Sequence, residues 1–346
     1  MARGLTDLRI VTLGGGTGGF TVNSGLRIYP VHPTAICTVF DSGGSTGILR
    51  DEFGALPQGD IRRCMLALAD DKDRSLRDMF NYRFANSNGT STLSQHSFGN
   101  LMLLAAEQLW GPIEGIRRVS SVLGVHGEVL PISVDPAHLC AELSDRSCIE
   151  GESSIDTRGL NDERTIRRVW LNPSAFICRE AADALLFADI IVIGPGDLYT
   201  SIIPNLLVGG VTEVLEKSKA KVVYVANLMT KWQETRDFTA AKFVEEMCVY
   251  GIGREKFDAV LLNTSPIPPD LLALYARKDK STPVLFDDAD TTAVEELTGY
   301  THSLIGKDLL SKAGLHQGLV RHDSAKLAKC IIELWGGYHG TLRSRS

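Results

Sequence analysis

Three glycine-bearing stretches hold the residues best suited to chemistry. The first is Gly14-Gly15-Gly16-Thr17-Gly18-Gly19, set between the apolar run 8–13 and the stretch 20–28. Glycines lack a Cβ, so their backbone N–H groups can approach a ligand closely. A helix starting just beyond adds unpaired donors and a partial positive charge, which together favour a phosphate. The second stretch, Asp41-Ser42-Gly43-Gly44-Ser45-Thr46-Gly47, follows the apolar run 34–40. The third, Gly194-Pro195-Gly196-Asp197-Leu198-Tyr199-Thr200-Ser201, follows the apolar run 189–193. Asp41, Asp60 and Asp197 are able to hold a hydrated Mg²⁺, with Asp41 and Asp60 as the metal candidates.

Other chemistries fit less well. Gly14, Gly16 and Gly19 match G-x-G-x-x-G, and Asp41 sits where a nicotinamide-binding fold keeps its ribose-binding acid. A second glycine loop directly after Asp41 is a feature such a fold does not need. No Lys-Ser or Lys-Thr follows Gly19, so the P-loop reading fails. There is no G-x-S-x-G elbow and no H-E-x-x-H, and no residue is assigned as catalytic. The seven cysteines form no C-x-x-C pair and the eight histidines no Cys/His cluster, so they read as buried hydrophobes and not as a zinc site.

These loops need elements to hold them. Residues 8–13, 34–40, 189–193, 221–226, 258–262 and 284–286 read as strands. Residues 20–28, 61–69, 75–84, 101–110, 113–123, 179–187, 239–249, 270–276 and 324–335 read as helices. Strands followed by helices imply a doubly wound, mostly parallel α/β sheet. Polar or glycine loops recur at the carboxyl ends of five strands, where such sheets bind ligands. Asp60 reads first as the N-cap of helix 61–69 and second as a carboxylate at a helix mouth. Arg62 and Arg63 read first as solvated surface and second as phosphate partners. His96, with Ser97 and Asn100, opens a helix that is apolar on most sides, and both a structural and a ligand-facing reading stand. The runs 126–133 and 138–143 alternate as an antiparallel pair, the start of a β-rich insertion at about 125–172. Residues 86–92 read as a loop, and 336–346 as a flexible basic tail.

The chain of 346 residues carries 44% hydrophobic and 23% charged residues, which suits one globular α/β domain over 1–346. A net charge of −6 argues against broad nucleic-acid binding. No run approaches the roughly 20 apolar residues of a membrane span, and no signal-peptide core is visible, so the expected location is the cytoplasm.

Taken in order, the three glycine loops with Pro57-Gln58-Gly59-Asp60-Ile61-Arg62, His96-Ser97-Phe98-Gly99-Asn100 and Asn227-Leu228-Met229-Thr230 resemble the 2-phospho-L-lactate transferase (CofD-like) family. Within it, the chain is similar to the gluconeogenesis-factor (YvcK/GlmR) branch, on 127–131, 139–143, 150–152 and Glu234-Thr235. The resemblance implies a Rossmann-like fold with helices on both faces of the sheet and a nucleotide cleft built from those loops, Asn227 and Thr230 included. It implies one of two functions. The branch it favours binds UDP-N-acetylglucosamine, is not established as enzymatic, requires no cofactor, and couples carbon flow to cell-wall precursors and cell shape. The other moves a phospholactyl group from a nucleoside-diphosphate carrier to a deazaflavin precursor with Mg²⁺. Tyr275 and Arg321 match the regulatory branch's sugar-nucleotide contacts. The expected partners are UDP-N-acetylglucosamine or another nucleotide, a protein of amino-sugar synthesis, and a second copy of the chain in a homodimer. Two departures stand out: Ser42 replaces the family's second acid, and Asp197 replaces a commoner Ser.

Overall fold

The strands are apolar on both faces because helices cover both. In a computed structural model describing residues 5–70, 74–85, 93–94, 96–253, 256–301 and 303–341, ten strands form. They are β1 (Arg9–Gly14), β2 (His32–Cys37), β3 (Glu128–Pro131), β4 (His138–Leu143), β5 (Cys148–Glu150), β6 (Ile166–Asn172), β7 (Ile190–Ile193), β8 (Lys221–Val225), β9 (Ala259–Asn263) and β10 (Leu304–Lys307). Seven make a parallel sheet in the order β10-β9-β8-β7-β1-β2-β3. Alternate residues serve opposite cores: Ile10, Ile190 and Val192 face one layer, while Val11, Leu13, Ile191 and Ile193 face the other.

On the first of these layers pack α1 (Gly16–Leu26) and the terminal helix Ser324–Thr341, through Val22, Leu26, Leu327 and Ile331. On the opposite layer lie α2 (Gly44–Phe53), α3 (Gln58–Leu68), α4 (Arg74–Asn81), α5 (Phe98–Trp110) and α6 (Pro112–Val122). Helix Ala240–Val249 joins them, with Met65, Leu103 and Phe243 in that core. The chain order reverses direction at β1, between β2 and β7. The loops after β1 and β7 therefore open a crevice at the carboxyl edge of the sheet. Among the described residues, no helix is long and apolar enough to cross a membrane.

The structure departs from the sequence expectation in four places. The run 126–133 does not pair with 138–143: β3 adds to the main sheet, parallel to β2. Alternation reports which face is buried and is silent on the partner strand. The insertion is thus the three-stranded antiparallel sheet β5-β4-β6, beginning at 138 and not at 125. No strand forms at 284–286, where Pro283 makes a lone bridge to Met229; the edge strand is β10. Between them Asp287 caps helix Asp288–Thr298 by accepting from the Asp290 N–H. The terminal helix continues to Thr341, into the stretch expected as a tail. Residues 86–92 and 342–346 lie outside the described residues.

Candidate functional site

Two helix N-termini and one tight turn converge on the crevice. α1 starts two residues after β1, so Gly15 is its N-cap and the N–H groups of its first turn face outward. Gly16 has φ +61°, a conformation that L side chains rarely adopt. A Cβ on Gly18 would overlap the Pro195 carbonyl, so the first and third loops touch backbone to backbone. The third loop contains a cis Gly194–Pro195 bond and closes into a π-helical turn, Leu198–Ile202, where the Ser201 N–H donates to the Asp197 carbonyl (2.8 Å). α2 begins within the expected second loop, at Gly44. The Asp41 carboxylate accepts the Gly43 N–H (2.8 Å), which sets the turn before it.

The resulting cavity holds about 530 Å³. Of the residues expected to bind nucleotide, Gly15, Gly16, Thr17, Gly18, Asp41, Gly43, Gly44, Ser45, Asp60, Asn100, Gly196, Asp197, Thr200 and Ser201 line it. Others stand behind the wall. Gly14 ends β1, and Gly194 and Pro195 form the back of the third loop. Ser42 Oγ accepts the Ser153 N–H (2.9 Å) and so anchors the insertion. His96 Nδ1 lies 2.8 Å from Ser45 Oγ, and Ser97 caps α5 by accepting the Asn100 N–H (3.2 Å). The Tyr199 N–H donates to Glu234 (2.8 Å) and its hydroxyl to Glu246 (2.9 Å). Asn227 Nδ2 donates to the Gly196 carbonyl (2.9 Å), and Thr230 pairs with Thr282 (2.9 Å). Tyr275 and Arg321 are not on this wall. The Tyr275 hydroxyl accepts the Val320 N–H (3.1 Å), which brings the two side by side in the chain's path. Arg321 lines an adjoining hollow of about 400 Å³ with Thr17, Arg62 and Arg63.

Asp60 is not the N-cap of α3. Pro57 holds that position, and Asp60 sits in the first turn, accepting the Gly16 N–H across the cleft. Burial and the Asp41 carboxylate push Asp60 up to about 6, against the pull of Arg63. Spacing alone could not separate the two roles, because a first-turn Asp suits either.

Several wall residues had a weak local signal or none. Arg62, expected on the surface, is buried: its Nε donates to Asn100 (3.0 Å) and a terminal nitrogen to Asn81 (2.8 Å). Burial and the charges of Arg63 and Arg83 lower it to about 10, so an anion in the cleft would relieve it. Arg63 and Arg83 share the wall. Opposite them stand Glu152 and Asp156, on α7 (Glu152–Asp156) of the insertion. Burial, then Asp41 and Asp156, push Glu152 up to about 8. Lys231 reaches Asp156, Asp197 (2.6 Å) and the fully buried Glu234 (3.2 Å). These carboxylates outweigh its burial and hold it well above the ordinary lysine range. Asp156, Asp197 and Glu234 are close enough to share a cation, and the Lys231 ammonium already fills that role.

The cleft therefore has an anion-binding side, built from helix N-termini and arginines, and a carboxylate side. Asp41, Asp60 and Glu152 supply oxygen donors to that side, and burial first, then the Asp41 charge, raises Asp60 and Glu152; among the described residues these three do not converge on one point as Asp156, Asp197 and Glu234 do.

Known proteins share this fold. A family model described as 2-phospho-L-lactate transferase CofD matches residues 10–304. The gluconeogenesis factor of Halalkalibacterium halodurans is 38% identical over 329 residues, covering 94% of this chain and 95% of its own. That of Bacillus subtilis is 37% identical over 328 residues, covering 94% and 98%. A crystal structure of a UPF0052 family member from Bacillus halodurans superposes with a TM-score of 0.85 at 36% identity, covering 95% of this chain and all of that one.

Proposed function

The chain belongs to the 2-phospho-L-lactate transferase CofD family, alongside the gluconeogenesis factors, and from that premise we propose that it is a UDP-N-acetylglucosamine-binding regulator linking carbon metabolism to cell-wall precursor synthesis and cell shape. The observation that carries this reading is the apposition of the α1 and α2 N-termini and the turn after β7 around one polar cleft, with Arg62, Arg63 and Arg83 on its wall. That arrangement suits a diphosphate. The Tyr275–Val320 contact, which sets Arg321 beside Thr17, extends the same edge toward the rest of a sugar nucleotide. Calorimetry with UDP-N-acetylglucosamine should show saturable binding that Gly16→Val abolishes, since a valine cannot keep φ +61° without strain. A folded wild type that takes up no ligand at millimolar concentration rules the reading out.

A second reading, phospholactyl transfer, is favoured by the Asp41 and Asp60 carboxylates on the cleft wall. These would hold Mg²⁺, which would supply charge neutralisation at the diphosphate. Asp60 would keep the α1 N-terminus in register through the Gly16 N–H. Product from activated phospholactate, a deazaflavin acceptor and Mg²⁺ would establish it; no product above a protein-free control would remove it.

A further inference from the structure

On the edge of the sheet opposite the cleft, at the amino ends of β1, β2 and β3, lies a hollow of about 910 Å³. The register builds its floor: Val11 pairs with Thr34 and Thr34 with Glu128, so Val11, Thr34 and Leu130 share one face. One wall is α8 (Arg179–Leu186). Its Ala181 and Leu185 are buried in the core, while Glu180, Asp183 and Ala184 turn a second face to the hollow. Phe187 continues that face just past the helix end and is 54% exposed. A mostly apolar floor therefore leads to an aromatic ring that this chain leaves in water.

The charges around this hollow do not balance. Both of its arginines are answered from outside it: Arg9 Nε lies 3.6 Å from Asp189, and an Arg117 terminal nitrogen lies 2.8 Å from Glu114. Asp7, Glu128 and Glu180 have no ion pair or side-chain hydrogen bond among the described residues. They come from three elements, the turn before β1, β3 and α8, and among the described residues they form no group tight enough for a metal ion. Carboxylates spread around an apolar floor call for several spaced cations joined by apolar groups, which a protein segment supplies. We infer that the hollow docks a short segment of another protein in which lysine or arginine alternates with apolar side chains. An apolar side chain seated against Phe187 and Leu130 anchors it, and pairs with Glu128 and Glu180 steer it and fix its register. The hollow shares no lining residue with the cleft, so the inference stands apart from the sugar-nucleotide reading.

The test is fluorescence anisotropy with two labelled octapeptides, alternating Lys-Leu and alternating Lys-Ser, at about 0.15 M salt, where the Debye length is about 8 Å. Glu128→Lys with Glu180→Lys reverses the charge of the hollow. Glu245→Lys with Glu333→Lys makes the same change in net charge at exposed positions on two other helices. Phe187→Ser removes the ring, and circular dichroism checks that each variant folds. The wild type should bind the Lys-Leu peptide saturably and at least tenfold more tightly than the Lys-Ser peptide. The hollow reversal and Phe187→Ser should each weaken Lys-Leu binding at least fivefold, and the remote reversal less than twofold. Saturating UDP-N-acetylglucosamine should leave that binding unchanged. Equal loss from the two reversals means attraction to net charge alone, and competition by the sugar nucleotide places the peptide in the cleft. A dimer in sedimentation that the hollow reversal dissociates makes a second copy the occupant. Each of these, like an absence of saturable Lys-Leu binding, overturns the inference.

Discussion

Asp60 carries a charge conflict that can be measured. Its folded pKa of about 6 lies above its ordinary value of 3.8, and Glu152 reaches about 8. Between the unfolded and folded values, the folded state binds more protons than the unfolded state, so stability falls as pH rises. For Asp60 this decline runs from about pH 4 to 6, and for Glu152 it continues to about pH 8. At 1.36 kcal/mol per pKa unit, Asp60 contributes about 3 kcal/mol of it. Asp60→Asn keeps an acceptor for the Gly16 N–H and removes the titration. Urea unfolding should therefore show a wild type that loses stability between about pH 4 and 8, and a variant whose loss between about pH 4 and 6 is largely gone. A variant with the wild-type slope would contradict this. The glycine loops were legible in the sequence because strand, glycine turn and helix are contiguous there. Asp60's orientation was not, because it depends on α1 lying across from α3.

At the scale of elements, Lys231 joins three pieces of chain: the insertion through Asp156, the third loop through Asp197, and its own turn through Glu234. Glu234 in turn accepts the Tyr199 N–H and the Thr200 hydroxyl (both 2.8 Å), so the turn after β7 is shaped by a carboxylate some 35 residues on. Nothing local marks such a residue; a lysine after Thr230 reads as solvated charge until the fold sets it among carboxylates. Lys231→Met would leave Glu234 buried without its cation. The loss should be roughly 2 kcal/mol, below the roughly 3–5 of a fully buried pair because Lys231 keeps part of its surface in water. Hydrogen exchange should then rise in 152–158 and 197–202 and stay unchanged in β8. Uniform exchange across the chain would instead mean that the lysine does not couple these elements. The same distance problem explains β3, whose short run identifies a strand but not its neighbour; β10, four residues with no alternation, gave no strand reading at all.

Across the whole molecule, the doubly wound order brings residues from 15 to 201 to one edge of the sheet. That much followed from strands alternating with helices, since such sheets bind ligands where their connections diverge. The insertion's part did not follow, because Glu152 and Asp156 reach the cleft only through the packing of β4–β6 and the Ser42–Ser153 bond. A ligand lying along this edge must touch several separate segments at once, and that makes its footprint predictable. Saturation with UDP-N-acetylglucosamine at about 100 times its dissociation constant should raise stability by about 2.7 kcal/mol. In hydrogen exchange it should protect 16–18, 43–46 and 196–201 together. The opposite edge, where Arg9, His32 and Glu128 begin their strands, should exchange as in the free protein. Inorganic diphosphate should reproduce the protection at 16–18 and 43–46 but leave 320–322 unchanged, because Arg321 lies in the adjoining hollow and not on the cleft wall. Protection spread evenly over both edges would indicate general stiffening of the fold, and the edge would lose its claim to be a single binding surface.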